Sequence, residues 1–194
     1  MRLTIIEIII MQGLALLAYG LSLVYGKTKG QKDYKRLLFY MYVGGVLTVT
    51  LLPLAFYSSK LMVDTRLTSI NLRPFSQQIH RFENWGYMHH LSYKGMVINL
   101  MLLMPWAVFD VVMQSKSFKW YIPLIKGFLI SLTIESIQLI LAVIGQGNRI
   151  FDVDDLILNC LGYSLAYWLT SLLVRSWQTR RDRLSHKRED LYND

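Results

Sequence analysis

Five long apolar segments constrain this chain more than any other feature of its sequence. They lie at 3–24, 37–57, 95–113, 121–144 and 155–174. A helix needs about 20 apolar residues, at about 1.5 Å rise per residue, to cross the hydrocarbon core of a bilayer. Backbone polar groups in lipid must be hydrogen-bonded within the protein, which favours helices for such segments. The sequence therefore predicts an all-α polytopic membrane protein: one membrane domain over 1–194, a bundle of about five transmembrane helices with a long loop at 58–94.

The composition supports a membrane protein and argues against two other classes. Charged residues make up only 18% of the chain, whereas soluble domains average about a quarter. The net charge of +8 could suggest nucleic acid, but the basic residues flank apolar segments, so a membrane surface explains them better and no nucleic-acid partner is expected. Cys160 is the only cysteine, so no disulfide can form within the chain. Glu7 interrupts the first segment, which is therefore interpreted as a retained span rather than a signal peptide.

The distribution of Lys and Arg predicts the orientation of the chain. The first loop, the third loop and the tail hold thirteen of the twenty-one basic residues. Cytoplasmic loops of membrane proteins are enriched in Lys and Arg. We therefore expect a multi-pass protein of the bacterial cell membrane with its N-terminus outside and a basic cytoplasmic tail at 175–194, which would be a frayed helix bound loosely to head groups. Loops two and four would then lie together on the outer face, while Lys126 would snorkel towards the third loop.

The second loop contains "INLRPFSQQIHRFENWGYMHH", which is rich in aromatic residues. Aromatic side chains of this kind suit the membrane–water interface, so we expect the loop to lie on the outer leaflet. Its histidines His80, His89 and His90 are interpreted as solvated side chains rather than metal ligands. The sequence contains no recognised metal or phosphate-binding motif, and neither a metal nor a cofactor is expected.

Polar residues in the fourth and fifth segments fall on stripes. Ser131, Glu135 and Gln138 share one face of a helix, since they are spaced four and three apart. An acid at the centre of a span is unfavourable by about 3 kcal/mol, so Glu135 should face protein or water. It is either a hydrogen-bonded structural group or a functional ligand, proton carrier or base. Asp155 and Asn159 start a similar stripe on the fifth segment.

The stretch "RIFDVDDLILN" at 149–159 places three acids before the last apolar segment. Asp152 is expected to cap that helix, with Asp155 at the third helical position in a capping-box-like arrangement. Arg149 could instead clamp a carboxylate or phosphate. In the third segment, Asn99 precedes Pro105, and its structural role would be to satisfy a backbone carbonyl that the proline frees near Met101.

Several motifs, in this order and spacing, resemble the VanZ-like family of bacterial membrane proteins over about 66–170. The matching elements are "NLRPF" at 71–75, Asn99 with Pro105, Glu135 with Gln138, and Arg149, Asp152, Asp155, Asn159 and Gly162. The chain departs from the family pattern at Ala107, where glycine is usual, which affects local helix packing. The resemblance implies an envelope protein connected with resistance to the glycopeptide teicoplanin.

Three functions are compatible with these residues, and one of them, a small transporter with Glu135 as proton carrier, is disfavoured because the five segments show no internal repeat. The other two are a ligand-binding protein and an enzyme. The first is binding of a lipid-linked or amphipathic ligand at the outer leaflet, with membrane lipids, lipid-linked envelope precursors or lipoglycopeptides as partners. The alternative is an intramembrane enzyme acting on a lipid-linked phosphate or sugar, with Glu135 and Asp155 as candidate catalytic residues. Assembly into an oligomer is compatible with both. The expected ligand-binding residues are Asn71, Arg73, Phe75, Asn99, Glu135, Gln138, Arg149, Asp152, Asp155 and Asn159.

Overall fold

The structure, a computed structural model, is a bundle of helices joined at one end by a short pair of strands. It describes residues 5–25, 34–51, 70–75, 89–113, 119–144 and 151–193. Its helices are α1 (Ile5–Tyr25), α2 (Tyr34–Leu51), α3 (His89–Leu102), α4 (Met104–Met113), α5 (Ile122–Val143) and α6 (Val153–Asn193), and its strands are β1 (Ile70–Asn71) and β2 (Phe151–Asp152).

Four helical stretches are long and apolar enough to cross a membrane: Glu7–Val24, Lys94–Met113, Ile122–Val143 and Val153–Ser185. They correspond to the first, third, fourth and fifth predicted segments, which confirms the all-α polytopic class. The second predicted segment is described only as far as Leu51. The helix α2 that covers it is 18 residues long and includes two cations in its first turn, which makes it less apolar than the other four.

The third predicted span is broken into α3 and α4 by a turn at Leu103. Pro105 follows directly in the first turn of α4, and because proline has no N–H it interrupts the hydrogen-bond ladder there. The hydroxyl of Tyr42 in α2 donates to the carbonyl of Leu102 at this break. Ala107 is fully buried, and its N–H donates to the Leu103 carbonyl at 3.2 Å. The position that departs from the family pattern is therefore a tightly packed one.

Helix α6 is the central packing element, since it contacts α3, α4 and α5, while α1 packs mainly on α2. Among the glycines of the described helices, Gly162 leaves the least room for a side chain: a Cβ built there would lie 1.8 Å from the Leu100 carbonyl oxygen of α3. Leu103, Ala107 and Tyr163 are fully buried around this crossing and form the core with Val46. The core therefore sits where the broken span crosses α6.

Helix α6 runs for 41 residues without interruption. At about 1.5 Å per residue this is roughly 60 Å, twice the thickness of the hydrocarbon core. Residues 175–185 are exposed on every turn. The tail predicted as a frayed end is thus a continuation of the last span as helix to Asn193, and it extends beyond the membrane-spanning portion.

Candidate functional site

The strands β1 and β2 join the second and fourth loops at one end of the bundle. They pair in parallel, with Ile70 opposite Phe151 and Asn71 opposite Asp152. The Asn71 side-chain amide also donates to Asp152 Oδ1 at 3.0 Å. Two predicted site residues that are 81 positions apart in the chain are therefore in direct contact. The pairing places loops two and four at the same end of the bundle, as the topology predicted.

The chain turns sharply after β1. Asn71 Oδ1 accepts a hydrogen bond from the Arg73 backbone N–H at 3.2 Å. Phe75 has φ of 55°, a left-handed conformation that costs a non-glycine residue roughly 1–2 kcal/mol. The Phe75 N–H donates to Asp154 Oδ1 at 2.7 Å, and this bond holds the turn. The Arg73 side chain is exposed, whereas that of Phe75 is partly buried.

Asp152 caps α6, as predicted. Its Oδ1 accepts the N–H of Asp154, the second residue of the helix, at 3.0 Å. In the predicted capping box, the Asp155 carboxylate would accept the Asp152 N–H. In the structure, Glu135 Oε2 of α5 accepts this N–H at 3.4 Å, and Asp155 binds Asn99 instead. The carboxylate of the neighbouring helix thus takes the role expected of the third helical residue.

Asp155 and Asn159 both contact neighbouring helices. The Asn99 side-chain amide of α3 donates to Asp155 Oδ1. The Asn159 amide donates to Ser131 Oγ of α5 at 3.2 Å. Asn99 therefore binds a carboxylate on another helix, rather than the backbone carbonyl near Met101 suggested by the sequence.

The stripe on α5 is buried, as its spacing predicted. Glu135 is only 2% exposed. The Gln138 amide donates to the Thr50 carbonyl of α2 at 2.8 Å, while the Thr50 hydroxyl donates within its own helix to Val46 at 2.8 Å. Glu135 and Gln138 thus tie α5 to two different elements, the strand pair and α2.

Three buried polar atoms of α6 have no hydrogen-bond partner among the residues that the structure describes. They are Asp154 Oδ2, Asn159 Oδ1 and Ser164 Oγ. Asp154 is 1% exposed, and sequence reasoning had assigned it no more than a place in the polar start of the helix. A buried acceptor that lacks a donor is unfavourable by about 1–3 kcal/mol, and more if it is charged. The unpartnered Asp154 oxygen is therefore the feature of this end that most directly suggests a missing group.

The electrostatics of the strand pair follow from burial and from neighbouring acids. Burial raises the pKa of Asp152 above its usual value, and the nearby charge of Asp154 adds to the increase. Hydrogen bonds from the Asp154 N–H and the Asn71 amide partly oppose this increase, because they stabilise the carboxylate.

A second polar cluster was missed by sequence reasoning. Asp110 of α4 accepts hydrogen bonds from Lys126 of α5, at 2.7 Å, and from the hydroxyl of Tyr163 in α6. The sequence indicated this cluster in one way only, since Asp110 is an acid near the end of an apolar segment. Lys126 was predicted to snorkel towards the third loop, and the structure pairs it with Asp110 of α4, the helix that ends at this loop.

Some of the residues singled out in the sequence cannot be placed in the bundle. Arg149, with its predicted clamp, and His80 lie outside the described residues, and the side chains of His89 and His90 are not described. Across the described ranges, no group of three or more His, Cys, Asp or Glu side chains is arranged to hold a metal ion.

The bundle and its polar end together define a polytopic helical membrane protein with a buried hydrogen-bond network at one end. The family model VanZ/LLP1 matches residues 39–174, which run from α2 into α6. The chain belongs to this family. No curated protein matches the chain, and no solved structure matches it.

Proposed function

We propose that this VanZ-family membrane protein binds an amphipathic, lipid-linked ligand at the outer leaflet of the bacterial membrane, and that this binding underlies a role in resistance to teicoplanin-type glycopeptides. The head group would be held by the strand pair and the start of α6. The ligand's apolar part would lie along the lipid-facing surface of the bundle. Its partners would be membrane lipids, lipid-linked envelope precursors or lipoglycopeptides.

The observation that carries this proposal is the unpartnered Oδ2 of Asp154 beside the strand pair. Most buried polar groups in proteins are hydrogen-bonded, and a site that binds a polar head group must leave acceptors free for it. The other oxygen of the same carboxylate is fixed by Phe75 N–H at 2.7 Å. The free oxygen therefore has a defined position, which favours selective binding.

The charge and shape of the turn agree with an amphipathic ligand. Arg73 is exposed at the tip of the turn, and a guanidinium group suits a phosphate. Leu72 is also exposed, at 67% of its surface, and can contact an acyl chain. Arg73 would therefore contact a phosphate-bearing head group, and the adjacent Leu72 would contact its acyl chain.

Placement of this end on the outer face rests on the charge distribution. The opposite end carries the exposed Arg175, Arg180 and Arg181 on α6, and cytoplasmic regions are enriched in Lys and Arg. A site on the outer leaflet would meet envelope precursors after their export, and glycopeptides before they reach their target.

An intramembrane enzyme is the alternative. This alternative is favoured by two carboxylates that lie at the same end of the bundle in different surroundings. Glu135 is 2% exposed, whereas Asp155 is half-buried and bonded to Asn99. Such a difference can separate an acid from a base. Turnover of envelope lipids by the purified protein that is lost in Glu135→Gln would favour catalysis, whereas undiminished turnover in that variant would remove Glu135 from the role.

The binding proposal is tested with Asn71→Ala, which removes the side-chain bonds to Asp152 and to the Arg73 N–H. We expect reduced retention of co-purified lipid and a lower protective effect against teicoplanin in a susceptible bacterial host. The matched control is Asp182→Asn, an exposed residue of α6 far along the helix from the strand pair, which should behave as wild type. If wild-type protein changes neither teicoplanin susceptibility nor bound lipid, the proposal fails.

A further inference from the structure

The unpartnered oxygen of Asp154 also indicates the chemistry of the group that it binds. This oxygen is buried, and its carboxylate is fixed at the other oxygen by a backbone N–H. The missing partner must be a hydrogen-bond donor or a cation, because a carboxylate oxygen accepts hydrogen bonds and attracts positive charge. The candidates are a hydroxyl, a metal ion acting as a positive partner, a guanidinium and an ammonium.

The surrounding charge favours a cation over a neutral hydroxyl. Asp152, Asp154 and Asp155 place three carboxyl groups within four consecutive positions. Burial is the main cause of the raised pKa of Asp152, and the nearby charge of Asp154 adds to it. A positive group among these acids would be attracted by all three, and the attraction is stronger in a partly buried site than in water.

The directions of the carboxylates argue against a metal ion. Asp152 faces Asn71, Asp154 faces Phe75 and Asp155 faces Asn99, each on a different element. Hard divalent cations need about six oxygen ligands around one point. No such convergence of acidic side chains, His or Cys is found in the described ranges.

The single free oxygen distinguishes an ammonium from a guanidinium. A guanidinium binds a carboxylate best through two parallel hydrogen bonds, one to each oxygen. Phe75 N–H already bonds to one of the two oxygens of Asp154, so a guanidinium bound in this way would have to share that oxygen with the backbone amide. A primary ammonium is a compact charge with three donors and needs only one acceptor from each neighbour.

We infer that the polar end of the bundle selects ligands that carry a primary ammonium group, which binds at the free carboxylate oxygen of Asp154. This inference rests on the proposed ligand-binding function. The amine can belong to the head group of a membrane phospholipid or to a lipoglycopeptide. The turn that ends at Phe75 contacts Asp154 through this hydrogen bond, and its residues 72–74 are exposed.

The experiment compares each amine with its uncharged N-acetyl form. The full-length protein is placed in nanodiscs of phosphatidylglycerol and supplied with phosphatidylethanolamine or N-acetyl phosphatidylethanolamine of identical chains. A parallel arm supplies an amine-bearing lipoglycopeptide or its N-acetyl derivative. Bound ligand is counted by native mass spectrometry for wild type, for Asn71→Ala, for Asp154→Asn and for the control Asp182→Asn.

We expect wild type and the control to retain at least one of the two amines in preference to its N-acetyl form. A hydrogen bond to a charged partner corresponds to a preference of about ten- to hundredfold. Asp154→Asn should lose this preference, because its amide can still accept from Phe75 but presents a donor, not an acceptor, to the ammonium. The arm that shows the preference identifies the source of the amine.

Equal retention of amine and N-acetyl forms by wild type, in both arms, overturns the inference. If that retention still depends on Asn71, the proposed binding function stands without its ammonium selectivity; if nothing is retained, both fail. The wild-type comparison decides the matter even if Asp154→Asn does not fold. A preference that persists in a folded Asp154→Asn protein also overturns the assignment to this carboxylate.

Discussion

Replacement of Gly162 by alanine tests the packing that positions the site. The added Cβ would lie 1.8 Å from the Leu100 carbonyl oxygen and 2.8 Å from its carbonyl carbon. Carbon–oxygen contacts between helices are normally about 3.3 Å or longer, so α3 and α6 would have to separate by roughly 1.5 Å. No rotamer change can relieve the clash, since the obstructing atoms belong to the backbone. We expect Gly162→Ala to lower the free energy of unfolding by about 3 kcal/mol, the upper part of the range for overpacked cores.

Two other glycines provide a graded series. At Gly127 of α5 an added Cβ would meet the Tyr163 Cβ at 3.1 Å and the Cys160 carbonyl oxygen at 3.2 Å. Shifts of a few tenths of an ångström would accommodate it, so we expect a loss of about 1 kcal/mol. At Gly13 of α1 nothing lies within 4 Å, and alanine should be neutral or slightly stabilising, because it favours helix over glycine.

The assay is equilibrium unfolding of the three variants in mixed micelles of a mild detergent and sodium dodecyl sulfate, followed by tryptophan fluorescence. Because Asn99 precedes Leu100, separation of α3 from α6 should also break its bond to Asp155. Gly162→Ala should therefore reduce ligand retention as well as stability. A Gly162→Ala protein as stable as wild type would refute the close approach of α3 and α6, and equal losses at Gly13 and Gly162 would refute the role of packing in the series.

Two further predictions concern the rest of the bundle. Lys126→Met should lower the free energy of unfolding by about 1–3 kcal/mol, between the values for exposed and buried pairs, because it removes the cation that pairs with the Asp110 carboxylate, which is 14% exposed. Addition of Asp110→Asn should recover most of the loss in the same assay, and a double variant no better than the single one would contradict the pairing. The orientation is tested by cysteine labelling in a Cys160→Ala background. Leu72→Cys should react with a membrane-impermeant maleimide in intact cells and Lys119→Cys only after permeabilisation, since these exposed positions are expected on opposite faces of the membrane. The reverse labelling would invert the proposed orientation.

Much of the architecture could be predicted from the sequence, because lipid imposes a simple requirement. A segment without water must satisfy its backbone internally, so apolar length alone indicates helices. Capping by Asp152 was also accessible, since an N-cap depends on residues two positions apart in the chain. The burial of Glu135 followed from helical spacing and from the unfavourable placement of an acid in a span.

Contacts between elements could not be predicted in the same way. From the sequence, Asn99 was expected to bond to a local backbone carbonyl freed by Pro105, whereas in the structure it bonds to Asp155, 56 positions away. The carbonyl of Leu102 is met instead by Tyr42 of α2, 60 positions away. Both outcomes depend on which helices are neighbours and on their rotation, and neither is encoded in the spacing of one segment.

The sequence by itself determined that this protein is a helical membrane protein with polar residues on the inner faces of its last helices, because hydrophobic length and helical periodicity are local properties. Only the tertiary structure decided that Asp154, one of three neighbouring acids, is buried with a free oxygen beside the paired strands. That outcome depends on the turn after β1, which directs the Phe75 N–H to one carboxylate oxygen and leaves the other without a donor. Burial and hydrogen bonding are set by what the chain brings together from distant positions, and for this reason three adjacent aspartates have three different surroundings.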